Sequence, residues 1–284
     1  LKCDNMKFDV YTYYTNIPPT GAYQGYGAPK GTYAMMTALA ELADGLGIDY
    51  YDLVDKNKIE SGYMLEILRG LGEGREGKVV PVGSCGLGEA LAKGARMIDW
   101  GKKEKGPGGD WKIGKGFAII QQGSGLPGLD HSNAWAKLLP DGNIQLFSGG
   151  ADIGTGLDTI HAKIAAEGLF VTLDQINVTS GDTDSCPFDT GAYASSGTYF
   201  SGNATYYAIE DLKRNILDEA AHQLGEQAED LALRAPGEVY STKTGASVSY
   251  ATLGYNALQG DGRGQVMGKG SFVTEHNSIP YGAH

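Results

Sequence analysis

The sequence predicts an α+β fold in two lobes, on three observations. Strand-like and helical patterns are mixed along the chain, one strand pair reads as an antiparallel hairpin, and 284 residues allow one large domain or two lobes. The expected boundaries are a first lobe over 1–101, a connector over 102–115 and a second lobe over 116–284.

Residues 6–16, MKFDVYTYYTN, are aromatic and β-branched with partial alternation, which reads as a strand. The glycine-rich loop GAYQGYGAPK (21–30) leads straight into a helical pattern that ends at Gly47. Pro29 suits the first turn of that helix, because its missing N–H has no partner to lose there. A short helix is expected over 49–57 and another over 84–101 with Ser84 as its cap. The connector is rich in Lys and Gly, and GFAIIQQ after it reads as a short buried strand. In AWAKLLPDGNIQLFSGG two alternating runs flank Leu139-Pro140-Asp141-Gly142, a hairpin signal. GADIGTG (150–156), the helix LDTIHAKIAAEGLF and the strand QINVTSGDTD follow. From Asn203 to Leu224 a helix places Ile209, Leu212, Ile216, Ala220 and Leu224 on one face. The remainder reads as weak strands and glycine turns.

The composition is globular, with 41% hydrophobic and 20% charged residues. Glycine is abundant, at 44 residues, and clusters at 21–31, 106–109, 123–128, 149–156 and 260–270. Such loops make tight turns or bring backbone amides up to a ligand, and five clusters favour a backbone-lined site. The net charge of −11 argues against nucleic acid or an anionic membrane as partner. The three cysteines, Cys3, Cys85 and Cys186, form no disulfide framework or zinc spacing and fit a reducing cytoplasm. Neither a membrane span nor a signal peptide is expected. Leu1 is no start residue and IPYGAH carries no stop signal, so a piece of a longer protein is expected.

Chemistry-bearing motifs are few. GADIGTG lies between a strand and a helix, the setting for an anion at a helix N-terminus, yet it lacks the third glycine of a dinucleotide loop, as does YQGYGAPKG. No GxSxG occurs, the five histidines are scattered, and His131 beside Asp130 is a weak candidate. Asp182 and Asp184 read as turn caps. Ser195, Ser196 and Thr198 stand before a helix, where they cap it or hold a phosphate or polar ring edge.

Three segments, in this order, resemble one family. TGAYQGYGAPK resembles the FRGFG-x-P loop of the molybdenum hydroxylases, the xanthine dehydrogenase, nicotinate dehydrogenase and aldehyde oxidoreductase superfamily. GGADIGTGLDTIHAKIAAEGL resembles its GQG loop and helix, and INVTSGDTDSCPFDTGAYASSGTYFSGNA its ASR-type segment. SCGLGEALAKGA resembles the helix that links these parts, and the match runs through about 15–225. The resemblance implies a molybdenum held by a pterin dithiolene, often extended as a cytosine dinucleotide, with no direct bond from protein to metal. It implies oxidation of a purine, nicotinate or an aldehyde with water as oxygen source. It further implies a second molybdopterin-binding segment or subunit, and [2Fe–2S] clusters and FAD on partner subunits. Gln24, Gly25, Thr155, Ala194, Ser195, Gly197 and Thr198 fall on cofactor-binding positions, and Tyr23 and Tyr26 on substrate-wall positions. Gln24 replaces the family's arginine and Thr155 its glutamine. The 122–129 loop is expected near the substrate channel. The catalytic glutamate is expected beyond His284, since Glu89 in GLGE sits in the linking helix. The changes at Gln24 and Thr155 also suit an incomplete scaffold with no cofactor of its own.

Overall fold

The computed structural model describes residues 1–70, 78–260, 262–276 and 278–284, so residue 261 of the 260–270 glycine stretch lies outside it. Along the chain run α1 (Ala28–Leu46), α2 (Tyr50–Asn57), α3 (Leu87–Met97), β1 (Ile119–Gln121), β2 (His131–Leu138), β3 (Ile144–Ser148) and α4 (Leu157–Leu169). Then come β4 (Ile176–Ser180), α5 (Gly197–Leu224), β5 (Leu231–Arg234), β6 (Glu238–Ser241), β7 (Ser247–Ser249), α6 (Tyr250–Ala257), β8 (Met267–Val273) and β9 (Tyr281–Ala283). Helices and mixed sheets make the class α+β, as expected. The chain forms two compact units, one of residues 1–123 with 278–284 and one of 124–277.

In the first unit, Met36 of α1, Val54 of α2, and Leu87 and Leu91 of α3 bury a core with Ile59, Leu65, Leu68 and Val82. β1 pairs antiparallel with β9. Asp49 caps α2 by accepting the Tyr51 amide at 2.7 Å. α3 starts at Leu87 behind Gly86, so Ser84 is not its cap, and the helix is shorter than 84–101. Residues 6–16 form no strand and lie exposed. A strand needs a neighbour for its N–H and C=O groups, and none of the described strands pairs with this one.

The second unit is a four-stranded sheet of order β4-β3-β2-β8. β2 and β3 form the hairpin read from the sequence, closed by Gly142 N donating to Leu139 O at 3.0 Å. β4 runs parallel to β3, with α4 as the crossover between them. β2 alternates buried and accessible residues and turns Ala134, Ala136 and Leu138 inward, toward the core shared with α4 and α5. α5 begins at Gly197, six residues before the expected start. The glycines of GTYFSG conceal that start in the sequence. A Cβ at Gly202 would touch Ile164 of α4, and one at Gly168 would come within 2.6 Å of Ile209, so these residues let α4 and α5 lie close together. α6 went unread for a similar reason, since its Gly254 packs against the Leu139 carbonyl of the hairpin turn. The remaining sheet is β5-β6-β7, antiparallel throughout.

α5 lies directly on β8. A Cβ at Gly268 or Gly270 would run into the α5 backbone around Ala204, Ala208 and Leu212. Gly270→Ala is therefore expected to destabilise the protein by about 1–3 kcal/mol, as overpacking against backbone does. Urea unfolding measures it, and an unchanged midpoint would show that this contact yields without cost.

Candidate functional site

Gln24, Gly25 and Tyr26 have φ of 26°, 104° and 58°, three left-handed residues in a row. The turn folds onto α1: Ala28 N donates to Gly25 O at 3.1 Å, and a Cβ at Gly25 would meet the Pro29 ring at 3.0 Å. Tyr23 and Tyr26 are 75% and 62% exposed, so both rings can meet a ligand. Ala194 and Ser195, in the second unit, have φ of 50° and 56°. Ser196 N donates to Tyr193 O at 3.0 Å, which with two left-handed central residues gives the φ pattern of a type I′ turn. Among the described residues, the other non-glycine positions with positive φ are Asp99 and Phe170, just past the ends of α3 and α4, where left-handed residues commonly stop helices. The four remaining ones stand on two of the three motif loops singled out from the sequence. Strained backbone of this kind marks ligand clamps and active sites.

The helices behind these loops share a second property. α1 has no side-chain cap and no acidic residue in its first turn. α5 is the same, because the Ser196 hydroxyl donates backward to Tyr193 O at 2.7 Å instead of capping. Neither first turn therefore carries a carboxylate of its own. α4 differs. The Asp152 carboxylate accepts the amides of Gly154 at 2.8 Å, Gly156 at 3.1 Å and Asp158 at 3.3 Å. These amide bonds, Gly154 first, hold its pKa below the ordinary carboxylate value. The anion seat read from GADIGTG is filled by the loop's own aspartate, and Thr155 remains exposed beside it.

Within the second unit three loops converge. Leu157, next to the 150–156 loop, packs against Gly150 and Gly197, and Gly125 N donates to Ala194 O at 2.8 Å. Leu157, just after the 150–156 loop, thus stands against Gly197 at the start of α5, and the segment from Gly125 reaches Ala194. Tyr23, Gln24, Gly25 and Tyr26 belong to the first unit. Glu89 is an exposed residue in the first turn of α3. His131 opens β2 and stacks on Phe188 at 4.9 Å. No group of three or more His, Cys, Asp or Glu side chains suited to hold a metal occurs among the described residues.

Sequence reasoning missed the polar frame beneath the loops. Asp130 is fully buried and accepts the Tyr193 phenol and the Leu126 amide, each at 2.8 Å. His161, also fully buried, lies 3.0 Å by Nε2 from Ser148 Oγ and 2.8 Å by Nδ1 from Thr205 Oγ1. Ser148 Oγ in turn accepts the Gly150 amide at 3.2 Å. No local sequence signal marks these residues, because their partners lie far along the chain.

Burial lowers the His161 pKa to about 4, against a smaller upward pull from Asp158, Asp189 and Asp152. The folded value lies below the unfolded one, so the unfolded chain binds the extra proton between pH 6.5 and about 4. Stability is expected to fall by roughly 3 kcal/mol as pH drops through that window and to fall no further from this group below it. Urea unfolding of wild type and His161→Met at several pH values checks it. Equal slopes in the two proteins would show that His161 is not buried neutral.

The comparisons with known proteins bear on the same loops. The molybdopterin cofactor-binding domain family matches residues 93–284, more than half of the chain, and matches again over 1–58. The chain is 48% identical to the probable hypoxanthine oxidase XdhD of Escherichia coli K12 over 99% of its own length. It is 34% identical over 78% of its length to the putative xanthine dehydrogenase molybdenum-binding subunit XdhA of the same organism. It spans 29% of the length of each of these relatives. Quinoline 2-oxidoreductase of Pseudomonas putida 86 shares the fold at a TM-score of 0.73 and 19% identity, over 93% of this chain and 35% of that one. CO dehydrogenase of Oligotropha carboxidovorans does so at 0.70 and 19%, over 91% of this chain and 34% of that one. With family models matching residues 93–284 and 1–58, the chain belongs to the molybdopterin cofactor-binding domain family.

Proposed function

We propose that this chain is the cofactor-holding portion of a molybdenum hydroxylase that oxidises an N-heterocyclic aromatic, a purine or nicotinate, with water as oxygen source. One observation carries the reading. A left-handed turn of two non-glycine residues, Ala194 and Ser195, stands directly before an α5 N-terminus that no side chain caps. That is a backbone donor set kept for an anionic or polar group brought from outside. The name of the 48% identical relative, a probable hypoxanthine oxidase, supports a flat nitrogen heterocycle.

The residues fit a pterin dithiolene with its phosphate. Gly197 and Thr198 offer first-turn amides of α5 and the Thr198 hydroxyl, and Ala194 keeps a small side chain where the group must approach closely. Gln24 and Gly25 offer the amides of the left-handed turn before α1. Thr155 offers a neutral hydroxyl beside a helix end that Asp152 has already neutralised. When bound, the molybdenum–pterin group supplies the two-electron oxidation and the protein supplies binding and orientation. Tyr23 and Tyr26 pack a flat ring by offset stacking. No residue of this chain is assigned to accept the substrate's proton, and Glu89 serves the α3 dipole. Partner segments or subunits with [2Fe–2S] clusters and FAD would take up the electrons, and a further molybdopterin-binding segment would complete the site. A cytoplasmic location is part of this reading, and the free thiols of Cys3, Cys85 and Cys186 are compatible with it.

Metal and pterin analysis tests the reading. The assembled full-length protein is expected to hold about one molybdenum per copy, and this chain alone to retain little. No molybdenum in the assembled protein would make the chain a scaffold. In the assembled enzyme Tyr26→Ala is expected to raise KM for a purine about tenfold, the order of one lost stacking contact. Unchanged kcat and KM would remove Tyr26 from the substrate wall.

A further inference from the structure

We propose that Asp130 is a positioning residue, which braces the strained Ala194–Ser195 turn through the Tyr193 phenol and so sets the amides that open α5. The turn does not hold itself. Each left-handed non-glycine residue costs roughly 1–2 kcal/mol, and such residues persist only where their surroundings over-determine them. Two bonds within the turn, from Ser196 N at 3.0 Å and Ser196 Oγ at 2.7 Å, both end on Tyr193 O. They close the turn without fixing it to the fold.

The fixing bonds come from one short segment, 125–130. Gly125 N reaches Ala194 O at 2.8 Å, inside the turn. Asp130 Oδ1 accepts the phenol of Tyr193 at 2.8 Å, just ahead of the turn. Asp130 Oδ2 accepts Leu126 N at 2.8 Å, which folds the same segment back on itself. Asp130 has no exposed surface, and among the described residues these two donors meet its side chain. Two bonds meeting on one buried side chain tie Tyr193 to the 126–130 segment, which suits a brace working against strain. The segment is fixed in its turn, because a Cβ at Gly125 would run into the Phe200 ring on the first turns of α5. The Tyr193 pKa is raised, first by its bond to Asp130 and next by burial, while Thr190 pulls weakly the other way. A carboxylate, two turns and a helix start thus form one closed loop of contacts within the second unit.

The consequence for the cofactor rests on the function proposed above; the brace itself does not. Tyr193→Phe in the full chain removes one oxygen and leaves the ring. Hydrogen exchange of the amides in 191–199 is expected to rise about tenfold, with the melting temperature little changed. Ala194→Gly added to Tyr193→Phe is expected to restore protection, because glycine holds φ near +50° without strain. That rescue is a readout that general loss of packing would not give. Asp130→Asn keeps one acceptor oxygen and turns an NH2 group toward the other donor, so it is expected to raise exchange in the same peptides at least as much. Unchanged exchange in Tyr193→Phe, or failure of the glycine to restore it, would overturn the proposal. In the assembled enzyme molybdenum content should follow the same order across these variants. If exchange behaves as expected while wild type itself holds no molybdenum, the brace stands and the proposed function fails.

Discussion

Two adjacent side chains, Ala194 and Ser195, are held where L-residues rarely go, and the second unit is arranged around that fact. α5 starts immediately after them and is the longest element of the chain, at 28 residues. Its position on the sheet is fixed by bare backbone contacts at Gly268 and Gly270, so the helix start cannot drift along β8. From the other side the turn is gripped by Gly125 and, through Tyr193, by the buried Asp130. Beneath the neighbouring loop, His161 joins β3, the Gly149–Gly150 turn and α5 through Ser148 and Thr205. Packing sets where the helix begins, and buried polar bonds set the shape of the loops before it.

The helix ends sort by what satisfies them. α2 and α6 are capped by their own Asp49 and Ser249, as helices that only need to stop fraying are. α4 uses Asp152 from its preceding loop. α1 and α5 have neither a side-chain cap nor an acid in the first turn. A positive terminus left without an internal anion costs stability in the isolated fold and gains value when an anionic group arrives. The difference between α4 and α5 is therefore chemical as well as geometric, since one loop offers a neutral hydroxyl and the other offers amides.

Much of the fold could be read from residues alone, wherever the code is local. The β2–β3 hairpin followed from Pro140, Asp141 and Gly142 between alternating runs, and α4 from its apolar spacing. The start of α5 was misplaced because Gly197 and Gly202 look like loop residues, although Gly202 is needed for close passage to α4. Residues 6–16 have strand composition but no strand pairing, because composition records what a segment would bury and not whether a partner is at hand. For the candidate site, the motif loops at 23–31 and 194–198 stand out in the sequence because glycines and small residues recur there in a recognisable order. Their left-handed backbone at Gln24, Tyr26, Ala194 and Ser195 does not, since nothing about those residue types favours it. Asp130 was noticed only as the neighbour of His131. Its partner stands 63 positions away, and a contact of that separation leaves no trace in one sequence.

The central claim is that main-chain amides at the start of α5, presented by a strained turn, receive the pterin cofactor. A crystal structure of the assembled, cofactor-loaded protein tests it most directly. The account predicts Gly197 N or Thr198 N within hydrogen-bond distance of the pterin or its phosphate, with φ still positive at Ala194 and Ser195. A bound pterin that makes no contact with residues 194–198, or a turn that has relaxed to negative φ in the loaded protein, would contradict it.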